Sequence, residues 1–331
     1  MRAITALKRT TVMGLIYVVC SFSCLQTAAG EPLKVVVTIK PVHSLVAALM
    51  AGIAEPVLIV EGAASPHTFT LKPSAARAIS EADVFIRVSP ALEAFTNKIV
   101  ESLPKSVDVV TLADVPGMKL LDQRSGGTFE AHVHAHVHAH VHDHEHEHDD
   151  GDEHGSGIRD GHIWLDPENA KIIVRALAAK LSAASPANAP KLSANAAALE
   201  SKITAMDAVI AADLAGVRDK PFIVFHDAYQ YFERHFGLRA AGSLTVSPDV
   251  QPSAKRLSAV RAKIAQLNAA CVFAEPGFQP GLIAAVTEGT TARAGTLDPE
   301  GMTLSPGAPL YFDLMTALAR NFKSCLQSGE K

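Results

Sequence analysis

The residues of this sequence whose chemistry best suits ligand binding are histidines. Five of them stand outside a histidine-rich insertion at 126–158: His43, His67, His162, His226 and His235. A lone loop histidine is more often a surface or capping residue than a ligand. His67 and His226 nevertheless follow predicted strands, and His162 precedes a predicted helix. Three imidazoles that converge would suit Zn²⁺, which binds neutral ring nitrogens at about 2.0–2.1 Å in tetrahedral geometry, whereas His43 and His235 are interpreted as structural or surface groups.

A second set of histidines forms a low-complexity run. Between 132 and 148 every second residue is histidine, and Asp and Glu enter from residue 143 onward. This composition predicts a disordered, exposed insertion over 126–158 that binds zinc weakly at several points, because ordering a flexible segment costs entropy. The alternative, a solvated loop that contributes nothing to metal uptake, stays open. The run consists of His132, His134, His136, His138, His140, His142, His144, His146 and His148.

The same run contains an H-E-x-x-H pattern at 144–148. That pattern signifies a metalloprotease only where a helix presents both histidines on one face. Here it arises from the alternation of histidine with acidic residues, and it predicts no catalytic site.

Short apolar runs alternate with helical patterns in two separate parts of the chain. The first part has predicted strands at 34–39, 57–60, 84–88 and 107–112, with helices at 42–51, 74–82 and 91–103. The second has predicted strands at 222–225, 244–247, 271–274 and 295–297, with helices at 228–236, 253–267, 282–288 and 311–326. Continuous apolar strands separated by helices favour parallel sheets, so the predicted fold is α/β with two Rossmann-like lobes. Ligands of such sheets gather beyond the carboxyl ends of the strands, where His67 and His226 are predicted to lie, one in each lobe.

A helical segment separates the two parts. Asp166-Pro167-Glu168 combines an N-cap residue with proline at the first helical position, and the helical pattern continues to about residue 184. A second, alanine-rich run from 191 to about 215 lacks glycine and proline, so its roughly 25 residues would span about 37 Å. We expect this long rigid helix to join the lobes.

These patterns predict a division of the chain into four segments. Residues 1–30 form a signal peptide, and 31–166 form the N-terminal lobe with its insertion. Residues 167–217 form the helical segment, and 218–331 form the C-terminal lobe.

The first thirty residues have the composition of a secretory signal peptide. Three basic residues precede an apolar stretch at 12–24, and small residues follow at 28–30. This order predicts cleavage near residue 29 or 30 and export to the periplasm, since the apolar stretch is shorter than the roughly 20 residues of a spanning helix. A lipoprotein start at Cys20 or Cys24 is a less favoured alternative. Loss of the leader's three basic residues would change the formal net charge from −4 to −7, which argues against nucleic acid as a partner.

Only two cysteines, Cys271 and Cys325, follow the leader. In an oxidising compartment two cysteines most simply form one disulfide, here between a strand and the C-terminal helix. A thiolate zinc site is the alternative, although such sites usually contain closer pairs of the C-x-x-C type.

Six segments around these histidines resemble those of a known protein family. They are Ile39-Lys40-Pro41, His67 with Leu71-Lys72-Pro73-Ser74, Gly161-His162-Ile163-Trp164-Leu165-Asp166-Pro167, Phe225-His226-Asp227-Ala228-Tyr229, Phe273-Ala274-Glu275-Pro276 and Thr296-Leu297-Asp298-Pro299. Through them, from about residue 36 to 326, the chain resembles the metal-specific solute-binding proteins of ABC importers, and specifically the zinc-uptake branch called ZnuA. The histidine-rich acidic loop before the second ligand is also typical of that branch.

The resemblance implies two Rossmann-like lobes joined by a long rigid helix, with the metal site in the cleft between them, and it implies a ligand set. It implies that His67, His162 and His226 hold the metal and that Asp298 or a water fills the fourth position. The alternative role of Asp298 is to cap a turn before Pro299.

Other residues near the site are expected to support it without touching the metal. Glu275 is expected to order its own loop, and Asp227 and Trp164 are expected to pack behind the ligands. The resemblance also implies the disulfide between Cys271 and Cys325.

The function implied by the resemblance is transport without a chemical step. A monomer would capture Zn²⁺ in the periplasm as a transported ligand and deliver it to a membrane permease, with a cytoplasmic ATPase driving import. Three histidines favour zinc, because manganese members carry a carboxylate in place of His226. The alternatives are a manganese- or iron-binding member of the same family, a secreted zinc hydrolase, and an adhesion protein with an incidental metal site.

Overall fold

The computed structural model describes residues 32–124, 129, 158–245, 251–277 and 280–327. The predicted leader and the histidine-rich run lie outside the described residues. Within the described ranges, no helix is both long and apolar enough to cross a membrane.

The first lobe is a four-stranded parallel sheet with helices between its strands. Its elements are β1 (Val35–Val37), α1 (Lys40–Leu49), β2 (Val57–Leu58), α2 (Pro73–Ser80), β3 (Val84–Arg87), α3 (Asn97–Ser102) and β4 (Asp108–Thr111). The strand order is β2-β1-β3-β4, and every pair is parallel. All residues of β1 and β3 are buried, as the continuous apolar runs predicted.

Two long helices follow: α4 (Pro167–Ala184) and α5 (Ala189–Leu214). The N-cap prediction for α4 is confirmed, since the Asp166 side chain accepts a hydrogen bond from Glu168 N and Pro167 occupies the first turn. The 26 residues of α5 span about 39 Å. One face of α5 is buried at three- and four-residue spacing, through Leu192, Ala196, Leu199, Ile203, Met206, Ile210 and Leu214.

The second lobe repeats the topology of the first. Its elements are β5 (Phe222–His226), α6 (Gln230–Phe236), β6 (Ala240–Thr245), α7 (Ala254–Leu267), β7 (Cys271–Ala274), α8 (Pro280–Thr287), β8 (Arg293–Thr296) and α9 (Leu310–Gln327). The strand order is β6-β5-β7-β8, again parallel throughout. The long helix α5 packs against α1 of the first lobe and α9 of the second, so it braces both.

Two elements differ from the sequence prediction by more than two residues at one end. The strand predicted at 244–247 is β6 at Ala240–Thr245, because its Ala-Ala-Gly start pairs with β5 although it lacks branched side chains. Its predicted last two residues lie outside the described ranges. The helix predicted at 91–103 is a 3₁₀ turn at Ala94–Thr96 followed by α3. The Glu93 carboxylate accepts hydrogen bonds from the amides of Val88 and Ser89, which keeps the chain in a tight turn after β3.

One apolar core continues through both lobes and the long helices. Cys271 in β7 and Cys325 in α9 form the expected disulfide, with 6.2 Å between their Cα atoms. The link fixes the C-terminal helix to the second sheet.

Candidate metal centre

The three histidines singled out from the sequence meet at the seam of the two lobes. His67 lies in the segment between β2 and α2, and His226 is the last residue of β5. His162 directly precedes a 3₁₀ turn at Ile163–Leu165 that leads into α4. His226 therefore stands at the carboxyl end of its strand, and His67 lies in the loop that follows β2, on the side of the sheet where α/β proteins bind ligands.

One ring nitrogen from each of these histidines lies within 4.8 Å of the other two, and this is the one such group found among the described residues. The ring centroids are separated by 5.5 Å for His67 and His162, 5.8 Å for His67 and His226, and 5.3 Å for His162 and His226. The Nε2 atoms of His162 and His226 lie 3.4 Å apart. Two nitrogens bound tetrahedrally to one Zn²⁺ at about 2.0–2.1 Å lie roughly 3.3–3.4 Å apart, so this pair fits a shared ion.

The orientation of His162 is set by a carboxylate two residues earlier in the chain. Asp160 Oδ1 accepts a hydrogen bond from the Nδ1 of His162 at 2.7 Å and from its backbone N at 3.0 Å. Both side chains are buried. Because Nδ1 carries the proton in this contact, Nε2 keeps its lone pair and points at the other histidines.

His226 is oriented in the same way by a residue on another strand. Its Nδ1 donates to the Glu275 carboxylate at 2.7 and 2.8 Å, and the Tyr229 hydroxyl donates to the same carboxylate at 2.9 Å. Glu275 is predicted from the sequence to order its own loop, and the structure adds its contact with His226. Glu275 stands directly behind His226 and selects the tautomer in which Nε2 is the electron-pair donor.

Burial and this carboxylate act in opposite directions on His226. Burial alone would lower the pKa of His226, but the adjacent negative charge of Glu275 outweighs it, and the pKa lies above its ordinary value. Metal binding needs the neutral ring, so a proton competes for His226 more strongly than for an isolated histidine.

Asp298 has a different environment from the three histidines. Its Oδ1 accepts a hydrogen bond from Met302 N at 2.9 Å, and its Oδ2 accepts from the backbone and hydroxyl of Thr303 at 3.1 and 3.0 Å. These are turn-capping contacts, and Asp298 does not belong to the cluster of converging nitrogens. The turn is held to the first lobe by Lys40, whose Nζ donates to the carbonyls of Gly301, Met302 and Leu304.

Glu300, in the same turn, is a buried acid that sequence reasoning missed. Its Oε1 is buried with no hydrogen-bond partner, and burial raises the pKa of its carboxyl to about 8, an effect that the charge of His162 partly opposes. A cation bound at the three histidines would stabilise the charged form of Glu300.

The remaining residues named from the sequence have structural contacts. His43 Nε2 lies 3.0 Å from the Pro56 carbonyl, and His235 lies between Asp166 and Asp207, as expected of structural groups. The ring of Trp164 lies 5.3 Å from that of His162, and its Nε1 donates to Pro299 O in the second lobe. Asp227 pairs with Arg124, a residue that no sequence motif indicated.

Comparisons with known proteins agree with this architecture. The sequence model of the family described as "ZnuA: Zinc-uptake complex component A periplasmic" matches residues 35–325. The high-affinity zinc uptake system protein ZnuA of Brucella abortus (strain 2308) is 47% identical over 315 residues, covering 92% of this chain and 94% of the relative. The protein of the same description from Yersinia pestis is 35% identical over 293 residues, covering 88% and 91%.

Solved structures share the fold. The SBP FpvC of Pseudomonas aeruginosa in complex with Mn²⁺ has a TM-score of 0.72 at 20% identity, covering 91% of this chain and 100% of that one. Zn(II)-bound AdcA of Streptococcus pneumoniae has a TM-score of 0.68 at 22% identity, covering 90% of this chain and 59% of that one. At these identities the likeness establishes the two-lobed fold alone.

Proposed function

The chain belongs to the ZnuA family of periplasmic zinc-uptake components, and from that premise we propose that it binds one Zn²⁺ ion on His67, His162 and His226. The ion is cargo: it is captured in the cleft and passed to the membrane permease of an ABC importer. The chain performs no chemical step on it.

One observation supports this proposal above the others: two buried imidazoles present their Nε2 atoms to each other at 3.4 Å, each backed by its own carboxylate. Two protonated rings at that distance would repel each other, whereas two neutral rings with converging lone pairs suit a divalent cation. An all-imidazole set favours Zn²⁺ over Mn²⁺, which prefers oxygen ligands.

We propose that a water completes the coordination shell in this arrangement. Ligation by Asp298 would require its carboxylate to give up the bonds to Met302 and Thr303 that hold the turn. A metal-bound crystal structure with anomalous data at the zinc edge distinguishes the two fourth ligands, because the water and the carboxylate place different density at the ion.

His67 is the half-buried member of the cluster, whereas His162 and His226 are 5% and 3% exposed. The ion would therefore enter and leave on the side of His67, and the deeper pair would hold it last. Because α5 braces both lobes, release needs small shifts of the cleft and no wide hinge opening.

The localisation, oligomeric state, partners and domain division of the protein are also proposals. We infer that the leader at 1–30 directs export and is removed, that the mature protein acts as a monomer, and that its partners are the permease and the ATPase of a zinc importer. The division at residues 31–166, 167–217 and 218–331 is the domain arrangement that we propose for it.

Zinc titration of the metal-free protein tests the proposal. We expect one tight site, lost in His162→Ala and His226→Ala and weakened in His67→Ala. His235→Ala serves as the matched control, since its ring contacts Asp166 and Asp207 and lies outside the cluster. If the histidine-rich run binds zinc, we expect a second, weaker phase that deletion of residues 131–154 removes.

The same samples distinguish the competing functions. Displacement of Zn²⁺ by Mn²⁺ at equal concentrations would establish a manganese carrier instead. Turnover of ester or peptide substrates that disappears in His226→Ala would establish a hydrolase.

A further inference from the structure

The ends of the predicted insertion are joined by a short neck, formed by residues 121–124 and 158–160. Asp122 and Arg159 pair as an antiparallel bridge, with hydrogen bonds from Gln123 N to Ile158 O at 2.9 Å and from Asp160 N to Leu121 O at 2.8 Å. In the sequence, the neck lies between β4 of the first lobe and α4. It ends two residues before the metal-binding candidate His162.

Helix α6 of the second lobe holds this neck. The Tyr231 hydroxyl accepts from Leu121 N and donates to Asp160 O, both at 2.9 Å. Gln230 Nε2 donates to Asp122 O at 2.9 Å and lies 3.3 Å from Asp160 Oδ2. The carboxylate that orients His162 is thus itself fixed from the other lobe.

Arg124, at the end of the neck's first segment (121–124), makes charge-assisted contacts with the second lobe. Its guanidinium donates to both carboxylate oxygens of Asp227 and, at 2.8 and 2.9 Å, to both oxygens of Glu233. Those two side chains are 8% and 4% exposed, so the pairs are shielded from water. The Phe129 ring lies 4.2 Å from the guanidinium carbon and covers it.

The two carboxylates are positioned to affect the metal site. Asp227 directly follows His226 at the end of β5, and Glu233 lies on α6, the helix that holds the neck. A single guanidinium therefore connects the strand end carrying His226 to the neck leading to Asp160 and His162. Charge-assisted, bidentate pairs of this kind fix geometry as well as adding stability.

We propose that Arg124 is a positioning residue for the metal centre, clamping the insertion neck to the second lobe so that His162 and His226 keep their 3.4 Å approach. The proposal rests on the proposed function, because it concerns the retention of the ion in that site. Arg124 does not touch the ion. It acts through Asp227 on one side and through the neck on the other.

The test compares the rate of zinc loss from three full-length variants, measured by mixing zinc-loaded protein with excess chelator. Arg124→Ala is expected to release zinc about 10- to 100-fold faster than wild type, the usual effect of removing a group that supports a metal ligand. Arg124→Lys keeps the positive charge but not the paired donors of the guanidinium, so its rate of zinc release should lie between those of wild type and Arg124→Ala. Arg159→Ala is the matched control, since it removes an exposed ion pair of the same neck and should leave the rate within about twofold of wild type.

A spectroscopic readout separates positioning from general loss of stability. The visible spectrum of the Co²⁺-loaded protein reports coordination geometry, and it should change in Arg124→Ala but not in Arg159→Ala. Zinc release from Arg124→Ala within about twofold of wild type would overturn the inference, as would equal acceleration in both alanine variants. If Arg124→Ala does not fold, an unchanged release rate in Arg124→Lys overturns it instead. A wild-type protein that binds no zinc defeats the proposed function, which is a separate result.

Discussion

Replacing Glu275 by glutamine tests whether the carboxylate behind His226 tunes the metal site. The glutamine carbonyl can accept the Nδ1 hydrogen bond that the carboxylate now accepts at 2.7 and 2.8 Å. Its amide group can face the Tyr229 hydroxyl, which then accepts instead of donating. The side-chain volume and the orientation of His226 are preserved, and the negative charge is lost.

The expected effect follows from that lost charge. Glu275 is 4% exposed, so water screens its attraction to the His226–metal unit poorly. Removal of such a supporting group usually costs about 10- to 100-fold in metal affinity, which corresponds to roughly 1.4–2.7 kcal/mol. Tyr229→Phe removes one hydrogen bond to the same carboxylate but leaves its negative charge, so it should weaken zinc binding less than Glu275→Gln does.

Competition between the protein and a chelator of known zinc affinity measures both variants. The titration is repeated at pH 6 and pH 8, because Glu275 also raises the pKa of His226. In the wild type, affinity should fall as pH drops through this raised pKa, since the ring must be neutral to bind. In Glu275→Gln the pKa of His226 should fall, so the loss of affinity on acidification should begin at lower pH.

Two outcomes would contradict this reasoning. Glu275→Gln that binds zinc as tightly as wild type at pH 8 would show that the carboxylate is only a spacer. An effect of Tyr229→Phe as large as that of Glu275→Gln would show that packing around the carboxylate matters more than its charge.

Three further predictions concern stability. Burial raises the pKa of Glu93 to about 7 and that of Glu300 to about 8, so their contribution to the stability of the metal-free protein is complete at low pH and is lost as pH rises. Scanning fluorimetry should therefore show a melting temperature that falls between pH 5 and 9, and a flat profile would contradict the assignment. Replacing Cys271 and Cys325 together by serine removes a disulfide that spans 54 residues. This should lower the free energy of unfolding by about 4 kcal/mol in the chain-entropy model and the melting temperature by roughly 6 °C. Calorimetry measures both quantities, and an unchanged transition would show that the disulfide adds no stability. Lys40→Met leaves three carbonyls without their donor and should cost about 2–4 kcal/mol in urea unfolding, whereas a loss below about 1 kcal/mol would mean that water replaces the ammonium group.

Local patterns were enough to predict most of the fold. The apolar runs of β1, β3, β5 and β7 are long enough to require burial on both faces, and the Asp166-Pro167 pair marks a helix start whatever surrounds it. The start of β6 was missed because Ala240, Ala241 and Gly242 have weak strand propensity and become a strand only by pairing with β5.

The three histidines could be selected from the sequence because each follows a predicted strand or precedes a capped helix, in segments shared with a known family. Their mutual approach is a property of the tertiary structure. Residues 67, 162 and 226 are far apart in the chain, and only the packing of both lobes around α5 brings their ring centroids within 6 Å of one another.

The sequence by itself determined the residue types: which nitrogens can bind a metal, which runs must be buried and which cysteines can pair. Only the tertiary structure decided their partners. Glu275 reaches His226 across 49 residues, Arg124 reaches Asp227 across 103, and Lys40 reaches the turn at Gly301 across 261. The physical reason is that a charged side chain has no fixed partner along the chain, and its partner is set when packing removes the water around it.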